Sequence, residues 1–152
     1  MDNLDYQILR CLKHNSRLNA TAIGTKINLS TSSVIERIRK LEASGIIKQY
    51  TIVLDDKKIG RDITAFISVN LEHPKHNDSF REKVKRSNEV AECHYLAGDY
   101  DYILKIITDG SESLESVLNY IKSIQGVLRT RTLVVLSTIK NEVSLLPNPP
   151  GE

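Results

Sequence analysis

Apolar side chains recur at helical spacing through the first forty-five residues. Leu4, Ile8, Leu9, Cys11 and Leu12 form one stripe, with Asp2 or Asn3 placed to cap its start and Asn15-Ser16 to end it. Asn19 caps a second, shorter helix that turns Ala20, Ile23 and Ile27 inward and stops at Asn28. After the link Asn28-Leu29, Ser30 caps a third helix. Its Val34, Ile38 and Leu41 stand at i, i+4 and i+7 on one narrow face, and Gly45 is a natural C-terminal stop. Two short helices joined by a few residues and packed on a longer one predict a helix-turn-helix. Ile46 to Leu54 is β-branched and alternating, which predicts a strand or wing.

The period changes after a charged, glycine-containing break at residues 55–62, read as a linker between domains 1–54 and 63–140. Ile63, Ala65, Ile67, Val69 and Leu71 alternate as one face of a strand that His73-Pro74 ends. Asn77 or Asp78 opens a polar helix to about Ser87. Val90 to Leu96 and Tyr102 to Thr108 read as strands joined by a tight turn at Gly98-Asp99-Tyr100-Asp101. Ser113 or Ser111 caps a helix over 114–124 with Val117, Leu118, Ile121 and Ile124 inward; Gly126 ends it, and Val127 to Ile139 is a long strand. The order β-α-β-β-α-β is the ferredoxin-like topology, so the fold class is α+β: a winged helix-turn-helix followed by a ferredoxin-like domain. A sheet with helices on one face leaves the other needing a cover, which predicts pairing with a second copy. The tail, residues 141–152, is expected to fray after Leu146, with Leu145 and Leu146 packed on the sheet.

Composition narrows the classes. In 152 residues no apolar run approaches the roughly 20 that a membrane-spanning helix requires. The acidic start Met1-Asp2-Asn3-Leu4-Asp5 lacks an export signal, so the expected location is cytoplasmic. Cys11 and Cys93 show neither a disulfide framework nor zinc spacing, and His14, His73, His76 and His94 form no ligand motif; no metal or cofactor is expected. Asp99 and Asp101 resemble an acid/base couple only superficially, since neither nucleophile, metal nor phosphate-binding glycine loop accompanies them. An enzyme is not expected. Charge is more telling: residues 1–54 hold eight bases against four acids, a net of +4, while the rest hold thirteen against fifteen, a net of −2. A basic first third points to an anionic partner for that part.

The third helix carries the chemistry. Opposite its apolar face lie Ser32, Ser33, Glu36, Arg39 and Lys40, with Arg37 at the border, where its stem packs on the core and its head reaches phosphate. Ser30, Thr31, Ser32 and Ser33 crowd the first turn, the part that meets base edges when such a helix enters the major groove. Their hydroxyls suit phosphate or base edges. The competing reading is a solvated face with a Glu36/Lys40 pair, in a module that packs on a partner protein without strong DNA affinity.

Beyond these patterns the chain resembles a known family. Leu4-Asp5-Tyr6-Gln7-Ile8-Leu9, Leu29-Ser30-Thr31-Ser32-Ser33-Val34, Arg37-Ile38-Arg39-Lys40-Leu41-Glu42 and Gly45-Ile46-Ile47-Lys48-Gln49-Tyr50 resemble the DNA-binding module of the Lrp/AsnC transcription regulators. Gly98-Asp99-Tyr100-Asp101-Tyr102, Gly126-Val127 and Thr130-Arg131-Thr132 continue the likeness. It implies a regulator of double-stranded DNA whose second half is a dimerisation platform, with dimers assembling to octamers. It also implies a free amino-acid effector at the contact between dimers, held by Gly98, Asp99, Tyr100, Asp101, Tyr102, Thr130 and Thr132. Carboxylates and carbonyls of the turn suit an ammonium, and hydroxyls and N–H groups suit a carboxylate. The alternatives are that these residues only shape a turn and a strand, and that the protein is an effector-independent architectural DNA binder. The small Thr31-Ser32-Ser33 and acidic Glu36 depart from a strongly basic reading helix and point to weaker or shape-dominated DNA recognition.

Overall fold

In the computed structural model, which describes residues 1–149, the chain divides into two compact units. Met1–Val53 forms one together with the C-terminal stretch from Lys140; Leu54–Ile139 forms the other.

Three helices build the first unit: α1 (Asn3–His14), α2 (Ala20–Ile27) and α3 (Thr31–Ala43). Each begins on a side chain that takes an orphan N–H of its first turn. Asp2 and Asp5 form a reciprocal capping box, Asn19 accepts from the Ala22 N–H, and Ser30 from the Ser33 N–H. Asn28 ends α2 with φ of 55°, a left-handed conformation that asparagine tolerates. Within α2, Gly24 has no alternative: a Cβ there would lie 2.5 Å from the Leu29 carbonyl oxygen in the link to α3. Ile8, Leu12, Ile23, Val34 and Leu41 make the core, with Ile38 and Ile47 packed against it.

The predicted wing is absent. Residues 46–54 form no strand, because among the described residues no neighbouring strand offers them a ladder, and alternation alone satisfies no backbone group. Ile52 is 78% exposed. Tyr50 instead donates its hydroxyl to Glu42 Oε1 at 2.9 Å, and burial together with that carboxylate pushes the phenol up to about 12. The tail also differs from expectation. Leu146 lines a cleft of about 780 Å³ with α1 and α2 residues, and Glu142 pairs with Lys13 Nζ at 2.9 Å, so this stretch belongs to the helical unit and not to the sheet. Leu145 is 79% exposed. Residues 150–152, the end of that predicted tail, lie outside the described residues.

In the second unit, one turn of 3-10 helix (Lys57–Ile59) interrupts the predicted linker. It is followed by β1 (Ile63–Leu71), α4 (Asn77–Lys85), β2 (Val90–Tyr95), β3 (Tyr102–Thr108), α5 (Ser111–Ser123) and β4 (Val127–Val134). The sheet is antiparallel with strand order β2-β3-β1-β4, the ferredoxin-like arrangement that the alternation predicts. Ala65, Ile67 and Val69 of β1 and Tyr102, Leu104 and Ile106 of β3 meet Phe80 and Val84 of α4 and Leu114, Val117 and Ile121 of α5. β4 stops at Val134, short of Ile139, because its register partner there is Ala65 and β1 begins only two residues earlier. The helix-free face carries Phe66, Ile103, Ile107 and Leu133, but also Ser68, Lys105, Arg129 and Arg131, a more polar surface than an all-apolar pairing face.

Candidate functional site

Helix α3 presents its predicted face. Val34 and Leu41 are buried, whereas Ser32, Glu36, Arg39 and Lys40 are exposed. Lys40 Nζ sits 2.7 Å from Glu36 Oε1, the expected i, i+4 pair, and that contact holds the Glu36 carboxyl below its ordinary value. Arg39 has no ion-pair partner among the described residues.

The first turn is more occupied than its composition implies. Ser30 Oγ accepts from the Ser33 N–H at 3.2 Å and donates to Ser33 Oγ at 2.8 Å, while lying 3.1 Å from Ser32 Oγ. Thr31 Oγ1 donates to Thr21 Oγ1 at 3.3 Å, tying α3 to α2. All four hydroxyls therefore engage each other or α2, though the turn remains largely open to solvent.

Arg37 requires correction. It is not a free phosphate ligand: its Nη1 donates to both carboxylate oxygens of Asp2, at 2.8 and 3.0 Å, and to Asp5 Oδ1 at 2.7 Å. The guanidinium clamps the start of α1 to α3. Those two acids raise the Arg37 value further, and the Asp2 carboxyl is held below its ordinary value, first by the Asp5 N–H and then by Arg37. A bond spanning 35 residues leaves no signal in local spacing.

In the second unit the turn between β2 and β3 is bound to the end of β1. Asp101 N–H donates to the Val69 carbonyl at 3.0 Å, and Asp101 Oδ2 accepts from the Leu71 N–H at 2.8 Å, where the β1/β4 register shifts. Asn70 Nδ2 donates to the Asp99 carbonyl at 2.9 Å. Arg129 Nε and Nη2 donate to Asn70 Oδ1 at 3.4 and 3.2 Å, and its guanidinium lies 4.9 Å from the Tyr100 ring centre. Sequence reading missed Asn70 and Arg129; only the strand register brings them to the turn. Gly98, Asp99 and Tyr100 lie together at this end of the sheet, while Asp101 spends its carboxylate on the chain itself.

Thr130 and Thr132 pair with Val69 and Ile67, which places them on the helix-covered side of β4, half-buried, with Thr132 farther along β1 from the turn. Tyr102 is a second correction. At 1% exposure it is core, packed on Phe80 with ring centres 4.8 Å apart. Its hydroxyl accepts from Arg81 Nε and donates to Asn77 Oδ1, both at 2.8 Å, so no hydrogen-bonding edge faces solvent.

Among the described residues no group of three or more His, Cys, Asp or Glu is placed to hold a metal ion, and no helix is long and apolar enough to cross a membrane.

Comparison with known proteins finds relatives for both parts of the chain. Residues 1–42 match the AsnC-type helix-turn-helix domain, and residues 64–145 match the Lrp/AsnC ligand binding domain. Over 145 residues the chain is 34% identical to the HTH-type transcriptional regulator FL11 of Pyrococcus horikoshii, covering 95% of each protein. AsnC of E. coli superposes with a TM-score of 0.90 at 29% identity, covering 97% of this chain and 99% of that one. The transcriptional regulator NMB0573 of Neisseria meningitidis, solved as a complex with L-Met, superposes with a TM-score of 0.90 at 30% identity over 95% and 96% of the two chains.

Proposed function

Because this chain belongs to the Lrp/AsnC family of transcriptional regulators, we propose that α3 reads duplex DNA and that a free amino acid at the β2–β3 turn modulates the reading. One observation carries the DNA half: the exposed face of α3 holds Ser32, Glu36, Arg39 and Lys40, with Arg39 free of any intramolecular ion pair among the described residues. Arg39 and Lys40 meet phosphate. Ser32, with Ser30, Thr31 and Ser33, lies where base edges come into reach. A two-fold dimer that assembles further would set two such helices about one DNA turn apart on a pseudo-palindrome. The role is regulatory rather than catalytic, without a resident cofactor, and exercised in the cytoplasm.

The effector half is supported by the L-Met complex of a neighbour with the same fold and by the polar groups at Gly98, Asp99, Tyr100 and Thr130, with Asp101 shaping the turn and Thr132 more distant. Occupied hydroxyls at the start of α3 favour a second reading of the DNA half, in which duplex shape weighs more than base-edge hydrogen bonds.

Full-length protein tests this directly. Arg39→Ala and Lys40→Ala are each expected to weaken binding to all duplexes alike and to lower the slope of log affinity against log salt by about one. An unchanged slope in both removes α3 from the DNA interface. Selection from random duplexes with each amino acid present separates base reading from shape and reveals any effector response.

A further inference from the structure

The stretch after β4 returns to the helical unit without forming a helix or strand of its own. Two side chains fasten it there. Glu142 Oε2 lies 2.9 Å from Lys13 Nζ, a contact that holds the Glu142 carboxyl below its ordinary value, and Leu146 shares the cleft with Cys11 and Ile27. Leu146 is half-buried, whereas every other residue of 141–149 is exposed. Cys11 and Ile27 pack on the edge of the helical core, so the leucine meets an apolar strip.

The charge of the cleft suits this occupant. Arg10, Lys13, His14 and Lys26 stand around it, and Glu142 is the only acid among its described lining residues. The cleft also looks away from the reading face. At 100° per residue, Arg10 and His14 lie on the side of α1 opposite Asp5 and Leu12, and Asp5 is a residue that holds Arg37 of α3. No α3 residue lines it. A basic groove turned away from α3, with an acid and a leucine already seated in it, matches a peptide segment and not the phosphates of a duplex on α3.

Neither contact is strong. The two charged side chains are 35% and 45% exposed, so solvent and salt screen their attraction, and one half-buried leucine supplies only part of a core residue's burial. Tethering favours occupancy instead: Lys140 follows directly on Ile139, the last residue of the sheet unit, so the segment is presented to the cleft at high effective concentration.

We infer that the C-terminal segment is an intramolecular peptide ligand of the α1–α2 cleft, a latch in which Lys13 takes Glu142 and the Cys11–Ile27 edge takes Leu146. Docked, it gives the helical unit a second chain link to the sheet unit, besides Val53–Leu54. Released, it leaves that one link and opens a basic groove to a segment of the same chemistry, an acid followed by a leucine.

Cys11 reports the latch, because it lines the cleft beside Leu146. In full-length protein carrying Cys93→Ser, Cys11 is the only thiol, and its reaction with uncharged dithiodipyridine is followed by absorbance. Leu146→Ala, which changes no charge, and Glu142→Lys are each expected to speed the reaction about threefold or more. The swap Lys13→Glu with Glu142→Lys should restore the slow rate. Unchanged far-UV circular dichroism separates lost shielding from unfolding. A synthetic peptide of residues 140–149, added to the Leu146→Ala protein, should slow the reaction again, and the same peptide carrying Glu142→Lys and Leu146→Ala should not. Parent-like rates in both single variants overturn the latch. A swap as fast as Glu142→Lys alone overturns the Lys13 assignment, and a peptide without effect overturns the cleft as an exchangeable site.

Discussion

The two units reach their surfaces by different routes. In the helical unit the exposed face of α3 follows from short-range geometry: a serine cap, a 3.6-residue period and one buried stripe decide where Arg39 and Lys40 point. In the sheet unit the groups gathered at the β2–β3 turn are Asn70, Asp99, Tyr100, Asp101 and Arg129, collected from three parts of the chain by strand register. Local periodicity specifies an interface when one element supplies it. It does not when a ladder assembles it.

The largest effect that can break this comparison is expected at Gly24. Its Cβ position is already occupied by the Leu29 carbonyl, so Gly24→Val must force the α2–α3 turn apart. Overpacking of this kind costs about 3 kcal/mol. Urea unfolding followed by far-UV circular dichroism should show the helical unit melting earlier while the sheet unit keeps its own transition. A shift of both transitions together would mean that the units are energetically one body.

Next in size is Tyr102→Phe. Removing the hydroxyl leaves Asn77 Oδ1 and Arg81 Nε without their partner inside the α4–β3 contact, at a cost of about 1–2 kcal/mol. The loss should appear as an earlier transition of the sheet unit. Effector affinity should stay unchanged, because the side chain lies in the core; a selective loss of effector binding with stability retained would return Tyr102 to the site.

Tyr102 also shows where sequence reading stops. The strand Tyr102–Thr108 was legible from its alternation, and so were the helices, the caps of α1 to α3 and the sheet order, whereas α4 and α5 begin at His76 and Gly110 without the expected side-chain caps. Whether the Tyr102 hydroxyl faced a ligand or an arginine of α4 was not, since Arg81 and Asn77 lie on another element. The same limit applies to Arg37. A helical wheel puts it at the edge of the DNA face, but its partners are Asp2 and Asp5 at the start of the chain. The missing wing has a related cause: β-branched residues predict strand conformation, and only a neighbouring strand makes one.

Arg37→Ala sharpens the contrast with Arg39. Losing the clamp between α1 and α3 should lower the thermal midpoint of the helical unit, while the salt slope of DNA binding stays close to that of the unaltered protein. Arg39→Ala should do the reverse. Thermal melts and salt titrations on the same two variants decide it: a slope reduced by about one in Arg37→Ala would make that residue a phosphate ligand despite its intramolecular partners.

The smallest effect is a pH dependence confined to acid. The Asp2 carboxyl is lowered from its ordinary 3.8, chiefly by the Asp5 N–H and next by Arg37. A carboxylate whose value is lower in the folded state than in the unfolded state adds stability that is fully present above the unfolded value and is lost as pH falls through the folded one. The helical unit should therefore hold its thermal midpoint between pH 8 and 5 as far as this group is concerned, then lose stability below about pH 4. Asp2→Asn separates the two causes. The amide oxygen still caps α1, as asparagine does well, but it carries no charge for Arg37. That variant should start with a slightly lower midpoint at pH 6 and show a shallower decline toward pH 3 than the unaltered protein. The difference between them should shrink in 1 M salt, because the pair lies at the surface, where screening is effective. Identical acid profiles for the two proteins would show that the cap alone, and not the clamp to α3, fixes the start of the first helix.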